Sequence, residues 1–497
     1  TLPRHGFYWF LLSREASAPS WHEERLPALR LATLVLPEGW HSLLPERAER
    51  PEPAQRARRR LLAEVLPDYL PTRRWFAAKG GAIAAVEMLA ATPWKDWLLT
   101  LVRVALDDGT SQDYFVPLSI AWEERGVESP SNAAAAALCR VRRHAQPGLL
   151  YDAFVDERFV ASLVAAVDAA EQQRFDGGSL HFRPGSALVS LAAGADLTQV
   201  RATPEASNSG AGLGGRLFVK GYRRLRPGIS PEAEMGRFLT EASPFAQIVP
   251  LGGTVEYRDV DDVPTTLALI QGYVANQGDL WGYTLDLLER LGEAHGDRFD
   301  EWESDPAEVA YAGLVTTLGR RTAELHAALA RSSGDPAFEP EPVRPHDIGT
   351  WQARLRIEAE ETLAGLVRAL DNPGRLDAEA RVTAEQILAR RDVLDERIQS
   401  GFPVGLNALK TRIHGDLHLG QVLVVEDDVI FIDFEGEPRR SLAERRAKHS
   451  PLVDVAGIVR SFDYAARVAQ RGQDALDPEM HRRADPGFER WRRAMTE

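Results

Sequence analysis

Residues 413–437, I-H-G-D-L-H-L-G-Q-V-L-V-V-E-D-D-V-I-F-I-D-F-E-G-E, combine residue types and spacings that can do chemistry. His414, Asp416 and Gln421 fall in a loop. Two short apolar runs follow, 422–425 and 429–432, about an acidic turn at 426–428, and the second run ends on Asp433. Such a hairpin holds three polar groups at one edge of a buried apolar sheet. The spacing H-x-D-x-x-x-x-[N/Q], with an Asp closing the next hairpin strand, suits kinase-type phosphoryl transfer. One carboxylate, Asp416, orients the attacking hydroxyl and accepts its proton. The Gln421 amide and the Asp433 carboxylate hold magnesium against nucleotide phosphates. A hairpin of solvated acidic residues would explain each of these singly, but not their joint spacing.

Phosphoryl transfer also needs a cation on the phosphates, carried by a strand of a small upstream lobe. The segment R-L-F-V-K-G-Y (216–222) reads as such a strand, with Lys220 the candidate. A lysine buried there needs a carboxylate from a neighbouring helix. Glu232 and Glu234 open the helix after Pro231, and Glu234 is the preferred partner. The run G-A-G-L-G-G (210–215) satisfies G-x-G-x-x-G, but its last glycine stands five residues before Lys220, too close for a glycine-rich phosphate loop. Gly214 and Gly215 instead suit a turn between two strands. Phosphate contact then falls to Ser207, Asn208 and Ser209, whose hydroxyls and backbone N–H groups could bracket a terminal phosphate. A ligand-free Asn/Ser turn is the other reading of that segment. Residues 267–274, L-A-L-I-Q-G-Y-V, read as a strand entering an interlobe hinge, which puts the backbone around Gln271 and Val274 at the adenine edge.

The elements that position these groups need more than one core. A chain of 497 residues implies two or three domains or lobes. A net charge of −14 argues against general nucleic-acid binding and against an anionic membrane surface. Cys139 is the only cysteine, so intrachain disulfides and cysteine-rich metal sites are excluded, and its alanine-rich surroundings suggest packing. No membrane span or signal peptide is evident, which points to a reduced, cytoplasmic protein. Residues 54–66 read as a helix, and 82–200 as a β-rich region with strands at 97–106, 112–120 and 180–191 around a helical patch at 158–173. Leu314, Leu318, Leu325 and Leu329 mark one face of a long helix. Amphipathic helices at about 349–370 and 377–400, separated by the turn D-N-P-G (371–374), predict an αα-hairpin.

Taken together, several segments resemble bacterial maltokinases, which belong with the aminoglycoside-phosphotransferase-like kinases. They are R-R-W-F-A-A-K-G (73–80), S-N-S (207–209), L-F-V-K-G-Y-R-R-L (217–225) and P-E-A-E-M-G-R-F-L-T-E (231–241). The match continues through T-A-E-L-H-A-A-L-A (322–330), H-G-D-L-H-L-G-Q-V-L (414–423), I-D-F-E-G-E-P (432–438) and S-P-L-V-D-V-A-G-I-V-R-S-F-D-Y-A (450–465). The resemblance implies ATP- and Mg2+-dependent phosphorylation of maltose at its anomeric hydroxyl. The product, maltose 1-phosphate, would feed glycogen-like α-glucan synthesis from trehalose. Carried over, the catalytic base falls on Asp416 and the magnesium ligands on Gln421 and Asp433, with Glu435 a further metal or sugar ligand. His414 either supports the loop or touches the sugar. Asp454 and Arg460 fall near the acceptor, although Asp454 could instead cap the helix that follows. Residues 1–12 are similar to the end of a trehalose synthase, a fused or separate partner, and the chain ends inside an apparent helix, which suggests that part of the acceptor lobe lies beyond it.

The expected fold class is α+β: a bilobal protein-kinase-like (aminoglycoside phosphotransferase-like) fold with an N-terminal mixed α/β cap and a mostly helical C-lobe. Residues 1–24 would be the tail of a preceding domain, 25–200 the cap and a β-rich region, 201–275 the ATP-binding N-lobe and hinge, and 276–497 the C-lobe. The alternatives are a same-fold kinase for another sugar, an aminoglycoside or an amino alcohol, and a non-catalytic scaffolding domain tethered to trehalose synthase.

Overall fold

The chain builds two seven-stranded sheets and then a helical lobe. The computed structural model describes residues 31–44, 52–123, 131–203, 207–295, 299–372, 374–402, 407–476 and 478–496. The segment similar to the end of a trehalose synthase, 1–12, lies outside the described residues.

The first sheet comprises β1 (Thr33–Val35), β2 (Ile83–Trp94), β3 (Trp97–Leu106), β4 (Ser111–Phe115), β5 (Leu118–Trp122), β6 (Ala137–Arg143) and β7 (Gln146–Asp152). Its order is β1-β6-β7-β5-β3-β2, with β4 paired to β3. Helix α1 (Glu52–Arg60) and the turns after it deliver Leu61, Val65, Leu66 and Leu70 to its core, which Trp75 and Phe76 join. Cys139 is fully buried there, and burial pushes its thiol up to about 12. It packs, as expected, and holds no reactive thiolate.

Helix α2 (Glu157–Asp168) starts on Asp156, whose carboxylate accepts from Arg158 N and also from Trp97 Nε1, Ser119 Oγ and Tyr151 OH. The helix leaves the first sheet and lays Phe159, Val160, Leu163, Val164 and Val167 on a second. That sheet comprises β8 (Gln172–Phe175), β9 (Gly178–Pro184), β10 (Val200–Ala202), β11 (Ser209–Leu213), β12 (Leu217–Gly221), β13 (Leu251–Asp259) and β14 (Pro264–Gly272). Its order is β10-β11-β12-β14-β13-β9-β8. The lysine-bearing lobe therefore begins near residue 157 and not at 201, because β9 pairs with β13 far along the chain. Residues 180–191 are also not one strand: the chain leaves the sheet after Pro184 and forms a short helix at Leu188–Ala192.

One buried ion pair joins the two sheets. Just beyond β12, Arg223 Nη2 lies 2.8 Å from the Asp152 carboxylate at the end of β7, and both side chains are buried. The guanidinium also donates to Ser209 Oγ at 2.7 Å and lies over the Trp75 and Phe154 rings. Asp152 accepts further from Tyr69 OH and Phe154 N. Such added bonds are what offset the desolvation of a buried pair.

Helix α3 (Pro231–Arg237) completes the second lobe. The C-lobe is built on α4 (Leu280–His295), α5 (Pro306–Leu329), the hairpin β15 (Val422–Val425)–β16 (Asp428–Phe431), α9 (Leu452–Leu476) and α10 (Pro478–Thr496). Leu314, Leu318, Leu325 and Leu329 of α5 are buried, as their spacing predicts. The αα-hairpin is present as α6 (Pro345–Leu370) and α7 (Ala378–Ala389), but its second arm breaks at Arg390 and resumes as α8 (Arg391–Ser400). The architecture is thus α+β and bilobal, preceded by a mixed cap. Among the described residues no helix is long and apolar enough to cross a membrane.

One titratable group is buried where α10 docks. Glu308 on α5 accepts from Trp491 Nε1 at 3.1 Å, and burial pushes its carboxyl from 4.5 up to about 7. Below pH 4.5 it is protonated folded or unfolded, so the stability it confers is fully present there and is lost as pH rises through about 7. Glu308→Gln keeps the acceptor oxygen without the charge. Its melting temperature should exceed wild type at pH 8 and approach it at pH 5; an equal difference at both pH values would refute the assignment.

Candidate active site

Strand β12 alternates, sending Leu217 and Val219 into the core and Lys220 to the other face. Gly221 is compelled by packing, since a Cβ there would meet the Phe154 ring at 2.1 Å. Helix α3 is started by Ser230, whose hydroxyl accepts from Ala233 N, with Pro231 in its first turn. Two helical residues rotate a side chain by roughly 200°, so Glu232 and Glu234 face opposite ways.

Glu232 is the one that meets Lys220, at 2.7 Å. The same ammonium lies 2.5 Å from Asp433 and 2.8 Å from Glu435. Glu232 also accepts from Tyr222 OH and, at 3.2 Å, from Gln271 Nε2. Burial works against the Lys220 charge, but Glu232, Glu435 and Asp433 hold the ammonium firmly protonated. Burial and the two neighbouring carboxylates push Glu232 up, against the pull of Lys220. Asp433 moves the other way: burial raises it, but the Lys220 charge and hydrogen bond win and lower it.

Glu234 is therefore not the lysine partner. It receives Arg412 at 2.7 Å and Arg446 at 2.6 Å, tying α3 to the C-lobe. Asp433 closes the hairpin with φ +65°, in the left-handed region that Asp tolerates better than most residues. Gln421 Nε2 donates to Asp433 Oδ2 at 3.2 Å, and Asn208 Nδ2 to Glu435 Oε1 at 3.3 Å.

The loop bearing Asp416 is held from behind. His414 is buried against Phe434, its Nε2 2.8 Å from the Ile432 carbonyl. Asp454 in the first turn of α9 is buried too, and accepts from His414 N and Gly415 N at 2.9 Å each, with His326 Nε2 at 3.0 Å. His414 thus supports the loop, one of its two expected roles, and Asp454 grips the loop backbone and His326 while it also borders the cavity beyond Asp416. Helix α9 approaches so closely that a Cβ on Gly457 would lie 2.3 Å from the Leu417 carbonyl. Asp416 itself is half-buried, and among the described residues no hydrogen bond reaches its carboxylate. Burial pushes it up, and Glu437 adds to this against the pull of His418.

Three cavities meet around this loop. One of about 350 Å³ is lined by Ser207, Asn208, Lys220, Gln271, Val274 and Asp433. The hinge segment runs beside it, with Gln277 N on Val424 O and Val424 N on Gly278 O. A second, of about 640 Å³, opens beyond Asp416 toward Trp281, Arg460 and Tyr464, whose two aromatic rings stack at 5.6 Å. A third lies toward the cap. The residues singled out in the sequence thus converge, with two further changes. Ser209 is turned inward onto Arg223, and the Gln271 side chain supports Glu232. The glycine pair Gly214–Gly215 makes the β11–β12 turn, as expected, with φ +55° and +64°.

Sequence reasoning missed Tyr222, Gly457 and the Trp281–Tyr464 pair. Tyr222 stands two residues after Lys220, on the same face, and that periodicity is the signal that could have found it.

Residues 69–156 match the family model for the maltokinase N-terminal cap domain. A curated glucosamine kinase from Streptacidiphilus jiangxiensis is 30% identical over 215 residues, 43% of this chain and 42% of that one. Another from Mycolicibacterium smegmatis is 28% identical over 54% of this chain and 59% of that one. The chain thus spans about two-fifths to three-fifths of the length of these relatives. A solved structure, a glucosamine kinase in complex with glucosamine, ADP and inorganic phosphate, aligns with 86% of this chain and 87% of its own at 21% identity and TM-score 0.49. The chain thus carries a segment that matches the maltokinase N-terminal cap domain, ahead of a two-lobed body.

Proposed function

We propose that the protein is an ATP-dependent sugar kinase that phosphorylates maltose at its anomeric hydroxyl, giving maltose 1-phosphate and ADP. The observation that carries this reading is the place of Asp416. Its unbonded carboxylate lines the aromatic-walled cavity and the cavity that Asp433 and Glu435 also border. A sugar hydroxyl in the first would reach a general base, with transferring phosphoryl held in the second. Stacked aromatic rings suit the apolar faces of a sugar, and about 640 Å³ accommodates a disaccharide.

Nucleotide would occupy the cavity between Lys220 and the hinge, with Gln271, Val274 and the 207–209 turn along it. Glu232, Asp433 and Glu435 each present an oxygen within 4.8 Å of the others, a hard-donor set that fits Mg2+. Asp433 and Glu435, with the Gln421 amide oxygen, would hold that ion, which neutralises phosphate charge when bound. Within this reading Arg460 borders the acceptor, while His414 and Asp454 position the loop. Maltose is favoured by the cap domain; the curated relatives named glucosamine kinase make glucosamine the competing acceptor.

ADP release should be measured with maltose, glucosamine, glucose, trehalose and kanamycin as acceptors. Maltose should give the highest kcat/KM, and preference for glucosamine would overturn the specificity. In Asp416→Asn, kcat should fall about 10²–10⁴-fold with nucleotide binding retained; a near-normal kcat would remove Asp416 as the base.

The two helix carboxylates should separate in the same assay. Glu232→Gln strips a partner from Lys220 and should lower kcat/KM for ATP by about 10–100-fold. Glu234→Gln strands the buried Arg412 and should chiefly lower stability, by about 3–5 kcal/mol in urea unfolding. Loss of ATP use in Glu234→Gln with stability intact would reverse the assignment.

A further inference from the structure

The cavity toward the cap, about 390 Å³, has Asp416, Asp433 and Glu435 on its floor. Its wall carries five cationic side chains: Arg74 and Lys79 from the cap motif 73–80, Arg224 and Arg226 beyond β12, and Arg445 from the C-lobe. It is distinct from the nucleotide cavity, since Lys220, Gln271 and Val274 line only the latter, although both share the turn at Ser207 and Asn208.

Lys79, Arg224, Arg226 and Arg445 are poorly neutralised. Among the described residues Lys79 and Arg224 make no ion pair, while Arg226 and Arg445 donate to backbone carbonyls, both reaching Pro438 O at 3.2 and 2.7 Å. Burial, with Arg445 and Arg224 nearby, lowers the proton affinity of Arg226; burial does the same to Arg445 in spite of Glu435 and Glu437. The floor carboxylates offset this charge only in part: Asp416, Asp433 and Glu435 face five wall cations, and Lys220 already takes up part of the charge of Asp433 and Glu435. Like charges gathered beside partly desolvated walls favour an anion, and guanidinium forks match phosphate oxygens.

We propose that this wall is a phosphate-monoester site, supplied in part by the cap, that takes a phosphate dianion beside Asp416. The occupant is free inorganic phosphate or the phosphate of a sugar 1-phosphate, which share the chemistry recognised here. The proposal rests on the phosphoryl-transfer reading above, because that reaction places such an anion next to Asp416. The cap then contributes charge to the reacting end of the molecule as well as covering a sheet.

The test measures binding to the full chain by titration calorimetry without ATP. Sodium phosphate and glucose 1-phosphate are the probes, with sodium chloride at matched ionic strength as the control. Wild type should bind both probes and not chloride, and the dissociation constant should rise at least about tenfold in the Lys79→Ala/Arg224→Ala double variant. Both residues are exposed, and Arg224→Lys, which keeps the charge, should restore most of the binding. Tighter binding of glucose 1-phosphate would identify the sugar ester as the occupant, and equal binding would identify free phosphate. No binding by wild type, or unchanged binding in the double variant, would overturn the site, the second result placing the anion on Lys220. Expected binding without ADP release on any of the five acceptors would leave the site standing and remove the kinase reading; turnover with unchanged binding would do the reverse.

Discussion

A single ammonium, Lys220 Nζ, lies within 2.8 Å of three carboxylates that come from an N-lobe helix and from the C-lobe hairpin. Three acidic groups this close would repel strongly in a buried setting. The lysine is what allows α3, β12 and the segment after β16 to occupy one place. Glu234 adds a second crossing of the same lobe junction through Arg412 and Arg446. The two clamps use alternate residues of one short helix, so the helix cannot turn without breaking both.

Around this junction the polar atoms divide into two kinds. Those of Glu232, His414 and Asp454 are satisfied within the protein, and they fix backbone and side chains in place. The Asp416 carboxylate stands apart, with no hydrogen bond among the described residues while the neighbouring side chains are bonded in place. For the proposed reaction that contrast is what a preorganised centre requires, because a base already spent on the protein could not serve a substrate.

Much of this was legible in the sequence where the signal is local. The 413–437 hairpin, Lys220 on its strand, the glycine-pair turn and the leucine face of α5 follow from period and turn chemistry alone. The failures share a cause, namely dependence on partners far along the chain. Helical phase opposed Glu232 to Glu234, but only the folded positions of Arg412 and Arg446 decide which one meets the lysine. The grip of Asp454 on backbone N–H groups 39 and 40 residues away went unread because nothing nearby in sequence reveals it. Strand β9 was assigned to the wrong lobe for the same reason, its partner β13 being distant.

The left-handed backbone at Asp433 bears on how this protein can evolve. That conformation is tolerated by Gly, Asn and Asp at modest cost and resisted by longer or branched residues. Partnership with Lys220 calls for a negative charge at the same point. Asparagine meets the first demand and glutamate the second; of the standard residues aspartate meets both. The position therefore has almost no neutral neighbours in sequence space. Drift in this part of the centre would have to pass through Gln421 and Glu435, whose backbones are free of that restriction.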